Sequence, residues 1–417
     1  MMMKKLIILS LLLLIAVWGC STKDNPTEPT IPEGTLINGF VNSTSIGPNY
    51  LDVAAGRSVY IYEPAGYQIG IVDSVKIYID STQGGVNHFD TTYINFTVAS
   101  ADYPTLYLLH GYGGDYKYYE DLFLVKDILD EMIASGEIIP MVVVTPDCDN
   151  ELGGTFYTDS PQDPPGSGVT FTGNFESFIA DDLINYMNLE FNVDTLASGR
   201  AISGHSMGGY GAMKLALKHP DLYSAVSSMS APLVFDSLTA LFPAVYAENG
   251  FTPYDTAAFY AISPDSTRRV TSMMFAMGAA FSPHDTLDAD TTYFHRLADV
   301  SFRFGVDLPF NVTGQFVDTS TVWQKWLAND PMTLLAGAYS ASLDGKAVYL
   351  DCAVQDDLGL IRHAAAFSQA LTNQGIAHTY IPYQGYTGDT AGHVNFVADR
   401  LRVIFKFHSD AFQAAQE

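Results

Sequence analysis

The sequence predicts an α/β protein built on a mostly parallel, doubly wound sheet, and three observations carry that reading. Short continuous apolar runs, expected of strands buried on both faces, recur at residues 105–109, 141–145, 200–203, 223–228, 347–352 and 378–383. Helical stretches fall between several of them, at 118–135, 174–190, 207–218 and 360–374, with a last helix over 395–408. At one strand-to-helix junction stands Gly204-His205-Ser206-Met207-Gly208-Gly209, a sharp turn that carries a serine between glycines.

Taken in order, the chain begins with Lys4 and Lys5 before an apolar run, 6–17, that is too short and too near the start for a spanning helix. The run ends Val17-Trp18-Gly19-Cys20, which is similar to the lipobox of bacterial lipoprotein signals. Residues 1–19 are therefore expected to be a signal peptide and Cys20 the lipid attachment site. The expected location is the bacterial cell envelope, held to a membrane by several acyl chains on one cysteine. A plain secretory signal would release the protein instead. Residues 20–35, rich in Pro, Thr, Ser and acidic side chains, read as a tether.

The folded part is expected over 36–417. Residues 36–45 and 57–62 alternate as strands. Two further alternating runs, 75–79 and 93–98, are split by Gln83-Gly84-Gly85 and read as a β-hairpin inserted over 68–103. Residues 231–346 are rich in Phe, Met and Pro and lack strand alternation, so they are expected to form a largely helical cap inserted between two strands of the sheet.

Composition narrows the function. A hydrophobic content of 47% with 13% aromatic residues belongs to a packed globular chain. A formal charge of −26, from 46 acidic and 20 basic residues, repels phosphate backbones, so nucleic acid is not expected as a partner. Cys148 and Cys352 each follow an apolar run; a disulfide between them is compatible with an oxidising compartment, and two buried thiols is the reading adopted. No Cys/His cluster has zinc-ligand spacing, so no metal is expected in the chemistry.

The turn at Ser206 forces serine into a strained backbone conformation and lifts its hydroxyl to the end of the sheet, at the start of a helix. A serine nucleophile needs a base, a group to orient that base, and donors for the oxyanion. In this architecture the order is serine, acid, histidine, each at the carboxyl end of a strand. Asp356, in the loop after 347–352, is the candidate acid, with its neighbour Asp357 as the alternative; Asp351 lies within the strand and points elsewhere. Among the later histidines, His363 and His408 fall in helices and His378 at a strand start. That leaves His393, in a glycine-rich loop after the last strand, as the candidate base. The backbone N–H of Met207 and that of Tyr112, in His110-Gly111-Tyr112-Gly113-Gly114, are the candidate oxyanion donors.

These residues resemble an esterase family of α/β-hydrolases that includes feruloyl and acetyl-xylan esterases, S-formylglutathione hydrolase and mycolyltransferases. The resemblance runs from about Arg57 to His408 outside the hairpin. Its specific parts are Tyr103-Pro104-Thr105-Leu106-Tyr107-Leu108-Leu109-His110-Gly111, the Ser206 turn followed by Tyr210-Gly211-Ala212, and Lys218-His219-Pro220-Asp221-Leu222. The segment Phe156-Tyr157-Thr158-Asp159-Ser160 resembles the family loop beside the active site, which implies Tyr157 and Asp159 as substrate-binding residues. The resemblance also implies a cofactor-free serine esterase of the α/β-hydrolase fold. Its expected substrates are acylated carbohydrates, acetyl or feruloyl. An acyltransferase, an S-formylglutathione hydrolase-like thioesterase, and an anchored binding protein with an inactive site are the alternatives. The cap aromatics Phe275, Phe281, Phe294, Phe302, Phe304, Phe310, Trp323 and Trp326 read as cap core that also encloses an apolar acyl pocket.

Overall fold

A computed structural model describes residues 31–67, 76–80, 88–92, 102–162, 165–285, 294–296, 304–386 and 388–416. The signal sequence and Cys20 lie outside these residues, as do 93–98 and Gln83-Gly84-Gly85 of the expected hairpin. Among the described residues no helix is long and apolar enough to cross a membrane.

The chain forms strands β1 (Thr35–Asn42), β2 (Gly56–Glu63), β3 (Lys76–Asp80), β4 (His88–Thr92), β5 (Thr105–Leu109), β6 (Val142–Pro146), β7 (Arg200–Gly204) and β8 (Ala225–Met229). After these come β9 (Pro283–Asp285), β10 (Phe294–Arg296), β11 (Phe304–Asp307), β12 (Ala347–Ala353) and β13 (Thr379–Tyr383). Eight of them make one sheet in the order β1-β2-β6-β5-β7-β8-β12-β13. The β1–β2 and β2–β6 pairs are antiparallel, and from β6 onward every pairing is parallel. This is the doubly wound sheet the sequence predicts. Every residue of β5, β6, β7 and β8 is buried, as continuous apolar strands covered on both faces require.

Local differences from the expected elements have local causes. The helix expected over 118–135 is two, Tyr118–Phe123 and Val125–Ala134, because Leu124 adopts the left-handed conformation at φ 51°. The last helix, Val397–Gln416, runs on past His408, because Phe412 continues its buried face one turn beyond. Strand β3 pairs antiparallel with β4, so the second strand of the hairpin begins before the apolar run at 93–98.

The cap is largely helical, including Phe242–Asn249, Arg269–Phe281, Thr321–Leu327 and Pro331–Ala336. It also holds a three-stranded antiparallel sheet, β10-β11-β9. Strands of three or four residues are too short to register as alternation in sequence, so this sheet is an addition to the largely helical cap the sequence predicts. One apolar core runs from the large sheet into the cap. At the junction Phe281 packs against Phe156, Phe235 and Trp326 with ring centroids 5.9, 5.7 and 5.6 Å away. Cys148 and Cys352 are buried free thiols, not a disulfide.

Candidate active site

The turn after β7 is built by close backbone approach. A Cβ on Gly204 would stand 2.3 Å from the carbonyl carbon of Gly208, and one on Gly208 would stand 1.8 Å from the carbonyl oxygen of Leu109 at the end of β5. Only glycine permits the chain to fold back this tightly. Ser206, between them, is held at φ 59° and ψ −119° at the head of the helix Met207–Lys218. Its amide donates to the Met229 carbonyl at 2.8 Å, which fastens the turn to the end of β8.

Two loops bring partners to this serine. Asp356 follows β12; one carboxylate oxygen accepts the Leu358 and Leu360 amides at 3.0 and 3.3 Å, and the other lies 2.7 Å from Nδ1 of His393. Nε2 of His393 is 2.9 Å from Ser206 Oγ. Because a carboxylate can only accept, Nδ1 carries the proton and Nε2 is left to receive one from the hydroxyl. Burial pushes the Asp356 carboxyl up, but the His393 hydrogen bond and charge, with the two amides, outweigh it and hold it below the usual carboxylate range. The histidine loop is braced in turn: Gln355 N–H donates to the Ala391 carbonyl at 3.0 Å, and Asn395 bonds the Gly392 amide and, at 3.2 Å, the Thr390 carbonyl.

Ser206, Asp356 and His393, the three residues picked from sequence, are thus joined in one chain of hydrogen bonds. Asp357 is exposed and paired with Arg269 at 3.2 Å. Asp351 is buried against Arg400. His363 meets the Val234 amide, His378 meets Ser368, and His408 meets Ser227, all away from Ser206.

Comparison with known proteins follows the same line. Residues 92–395 match the family described as "Putative esterase". The chain belongs to this esterase family. A Mycobacterium tuberculosis protein named Esterase Rv1288 is 28% identical over 211 residues, which is 47% of this chain and 41% of that protein. The chain therefore spans less than half the length of the curated relatives it matches. A ferulic acid esterase superposes with a TM-score of 0.52 at 18% identity, covering 91% of this chain and 99% of its own. An S-formylglutathione hydrolase from Agrobacterium tumefaciens gives 0.52 at 15% identity, covering 93% and 99%. At these identities the likeness is one of fold, an α/β-hydrolase.

In this esterase-family chain Ser206 lines a cleft shared with Tyr118, Arg269 and His393, and also a second, narrower apolar pocket. Tyr112 borders both, and Met207 borders the second. Met207 is the first residue of its helix, so its N–H has no intrahelical acceptor. The Gly111 carbonyl is engaged by His110 Nδ1 at 2.9 Å and by the Gly114 amide at 3.1 Å. Across a trans peptide the Tyr112 N–H points the opposite way.

Tyr157 and Asp159 are not brought to either pocket. Tyr157 is fully buried, its hydroxyl donating to the His110 carbonyl at 2.8 Å and its ring filling the space that Gly211 leaves. Asp159 is exposed and accepts from the amide and hydroxyl of Ser177 at 2.9 and 2.6 Å. Both support the loop beside the site rather than line it. Of the cap aromatics, Phe275, Phe281, Phe310, Trp323 and Trp326 are buried core and Phe302 lies outside the described residues, and the cap side chains that line the pocket are proline, leucine and methionine rather than aromatic.

His205 is the residue that sequence reasoning passed over. It is fully buried; Nε2 lies 2.8 Å from the main-chain carbonyl of His393 and Nδ1 lies 3.0 Å from the Tyr118 hydroxyl. The carbonyl can only accept, so Nε2 donates to it and Nδ1 accepts from Tyr118. Burial, with the charges of His393 and Arg400, holds the ring well below its ordinary range, so it stays neutral and keeps this pattern. Its place beside Ser206 was the available signal.

Proposed function

We propose that the protein is a serine esterase that hydrolyses carboxylic esters through an acyl-enzyme. The observation that carries the proposal is His393, whose two ring nitrogens lie 2.9 Å from Ser206 Oγ and 2.7 Å from the Asp356 carboxylate. Ser206 Oγ attacks the ester carbonyl while Nε2 of His393 takes the hydroxyl proton. Asp356 keeps Nδ1 protonated and steadies the imidazolium that forms. The amides of Met207 and Tyr112 receive the oxyanion. Nε2 then returns the proton to the leaving alcohol, and water repeats the cycle on the acyl-enzyme. Neither a metal nor an organic cofactor enters any step.

On the alcohol side the substrate class is an acylated carbohydrate. This rests on fold-level likeness to a ferulic acid esterase and on the lipobox-like Val17-Trp18-Gly19-Cys20, which would place the enzyme at the cell envelope, facing esters too large to import. Transfer of the acyl group to a sugar hydroxyl would use the same residues with a different acceptor.

A fluorophosphonate probe tests the chemistry directly. The wild type is expected to be labelled and to turn over p-nitrophenyl acetate, with both lost in Ser206→Ala. Labelling that persists in Ser206→Ala defeats the proposal. Product analysis with xylo-oligosaccharide present separates hydrolysis from transfer, and thioester hydrolysis faster than ester hydrolysis removes the carbohydrate reading.

A further inference from the structure

We infer that His205 is a positioning residue for the reaction, gripping the main chain of the base His393 while the neighbouring Ser206 meets its ring. The inference rests on the esterase reading above and adds a residue to it. Nε2 of His205 donates to the His393 carbonyl at 2.8 Å, and Nε2 of His393 lies 2.9 Å from Ser206 Oγ. Consecutive residues of one turn thus hold the same histidine at its two ends, main chain and ring. Asp356, on Nδ1, supplies a third point. Both ring nitrogens of His205 are spent, one on the His393 carbonyl and one on the Tyr118 hydroxyl, so neither is left for substrate and the residue acts through His393.

The histidine loop needs that grip. The bonds from Gln355 and Asn395 tie residues 390–392, ahead of the base, and Val394 just after it is exposed. The bond from His205 is the one on the carbonyl of His393 itself. His205 is fixed in turn by two consecutive tyrosines of the helix Tyr118–Phe123. The Tyr119 hydroxyl accepts the His205 amide at 3.0 Å and donates to the Leu109 carbonyl at 2.9 Å, which ties the His205 backbone to the end of β5. The Tyr118 hydroxyl gives its one proton to Nδ1 at 3.0 Å, which leaves the N–H on Nε2, the tautomer able to hold a carbonyl. The Tyr118 ring lies within 14° of parallel to the imidazole, and the His393 ring stands 5.0 Å from it, so the imidazole has neighbours that hold its plane. Removing the donor would leave a buried carbonyl unpaired and the loop free to shift. A base displaced by about 1 Å costs about 100-fold in rate.

The test is steady-state kinetics on p-nitrophenyl acetate, with kcat set against the folded fraction of each preparation from urea unfolding. His205→Leu removes the donor, and kcat is expected to fall about 100-fold with KM nearly unchanged, because a misplaced base weakens the transition state and not substrate binding. His205→Gln returns an N–H within reach of the same carbonyl and is expected to recover most of that loss. Tyr118→Phe is expected to lower kcat on its own and to add nothing in the His205→Leu background, because its hydroxyl acts through the imidazole. Should His205→Leu fail to fold, His205→Asn, polar but too short for the carbonyl, takes its place in both comparisons. A loss in KM with kcat kept, a His205→Gln as slow as His205→Leu, or an equal cost of Tyr118→Phe in both backgrounds overturns the inference. In those cases fluorophosphonate labelling of Ser206 in the wild type still upholds the esterase reading. A wild type neither labelled nor active on esters overturns both.

Discussion

Three carboxylates within seven residues, Asp351, Asp356 and Asp357, meet three fates decided by what each side chain reaches. Asp351 is paired with the fully buried Arg400, the exposed Asp357 with Arg269, and Asp356, held by the Leu358 and Leu360 amides, with His393. Sequence narrowed the acid to 356 or 357 and could go no further, because adjacent loop residues differ in direction, not in type. The consequence is measurable. Asp356→Asn keeps the shape but offers an amide where His393 needs an acceptor, so kcat on p-nitrophenyl acetate is expected to fall about 10³–10⁴-fold. Asp357→Asn removes one partner of an exposed ion pair and is expected to stay within about 3-fold of wild type. Steady-state kinetics on the two variants checks this, and equal losses would reject the assignment.

At the scale of the element, the turn between β7 and the helix Met207–Lys218 is the most constrained piece of backbone at the site. A methyl on Gly208 would meet the Leu109 carbonyl at 1.8 Å, and that carbonyl ends a strand paired on both sides. Neither partner can yield, so Gly208→Ala is expected to destabilise the protein by about 3 kcal/mol, read as a lowered midpoint in urea unfolding. A midpoint within error of wild type would show that the turn relaxes. This element was legible because its signal is local: strand residues, Gly-x-Ser-x-Gly, then a helix rich in small residues. The buried parallel strands were legible for the same reason. What escaped was decided by tertiary contact. Tyr157 sits beside the site in sequence, yet its ring is drawn under the loop by the space at Gly211. Nothing local marks His205, and it is the return of the chain at 393 that gives its Nε2 an acceptor.

At the scale of the whole molecule, burial of titratable groups sets how the fold responds to acid. His110, His205, His363 and His408 are all held below the ordinary histidine range by burial, His363 at about 4 and His408 at about 3. In the unfolded chain they return to about 6.5. Between those limits the unfolded state binds more protons, so stability rises with pH and is lost as pH falls below about 6.5. Asp149 and Asp330 act in the opposite sense: burial raises each to about 6, so around pH 5 the native form holds protons that unfolding releases. Asp356 and Glu176, held low by their partners, add their own loss only once pH falls into the unfolded carboxylate range near 4. Among the described residues the histidines held low by burial, His110, His205, His363 and His408, outnumber the carboxyls held high, Asp149, Asp330 and Glu63, so a net uptake of protons on unfolding is expected near pH 5 and stability falls with falling pH there. General charge repulsion cannot supply this sign, because a chain of charge −26 repels itself less as it is acidified. Urea unfolding between pH 6.5 and 4.5 should show a midpoint that falls steadily, and a flat or rising midpoint would refute the balance. His363→Gln removes one of the four protons, so its slope is expected to be shallower by about 1.4 kcal/mol per pH unit, which ties the effect to buried imidazoles rather than to the active site alone.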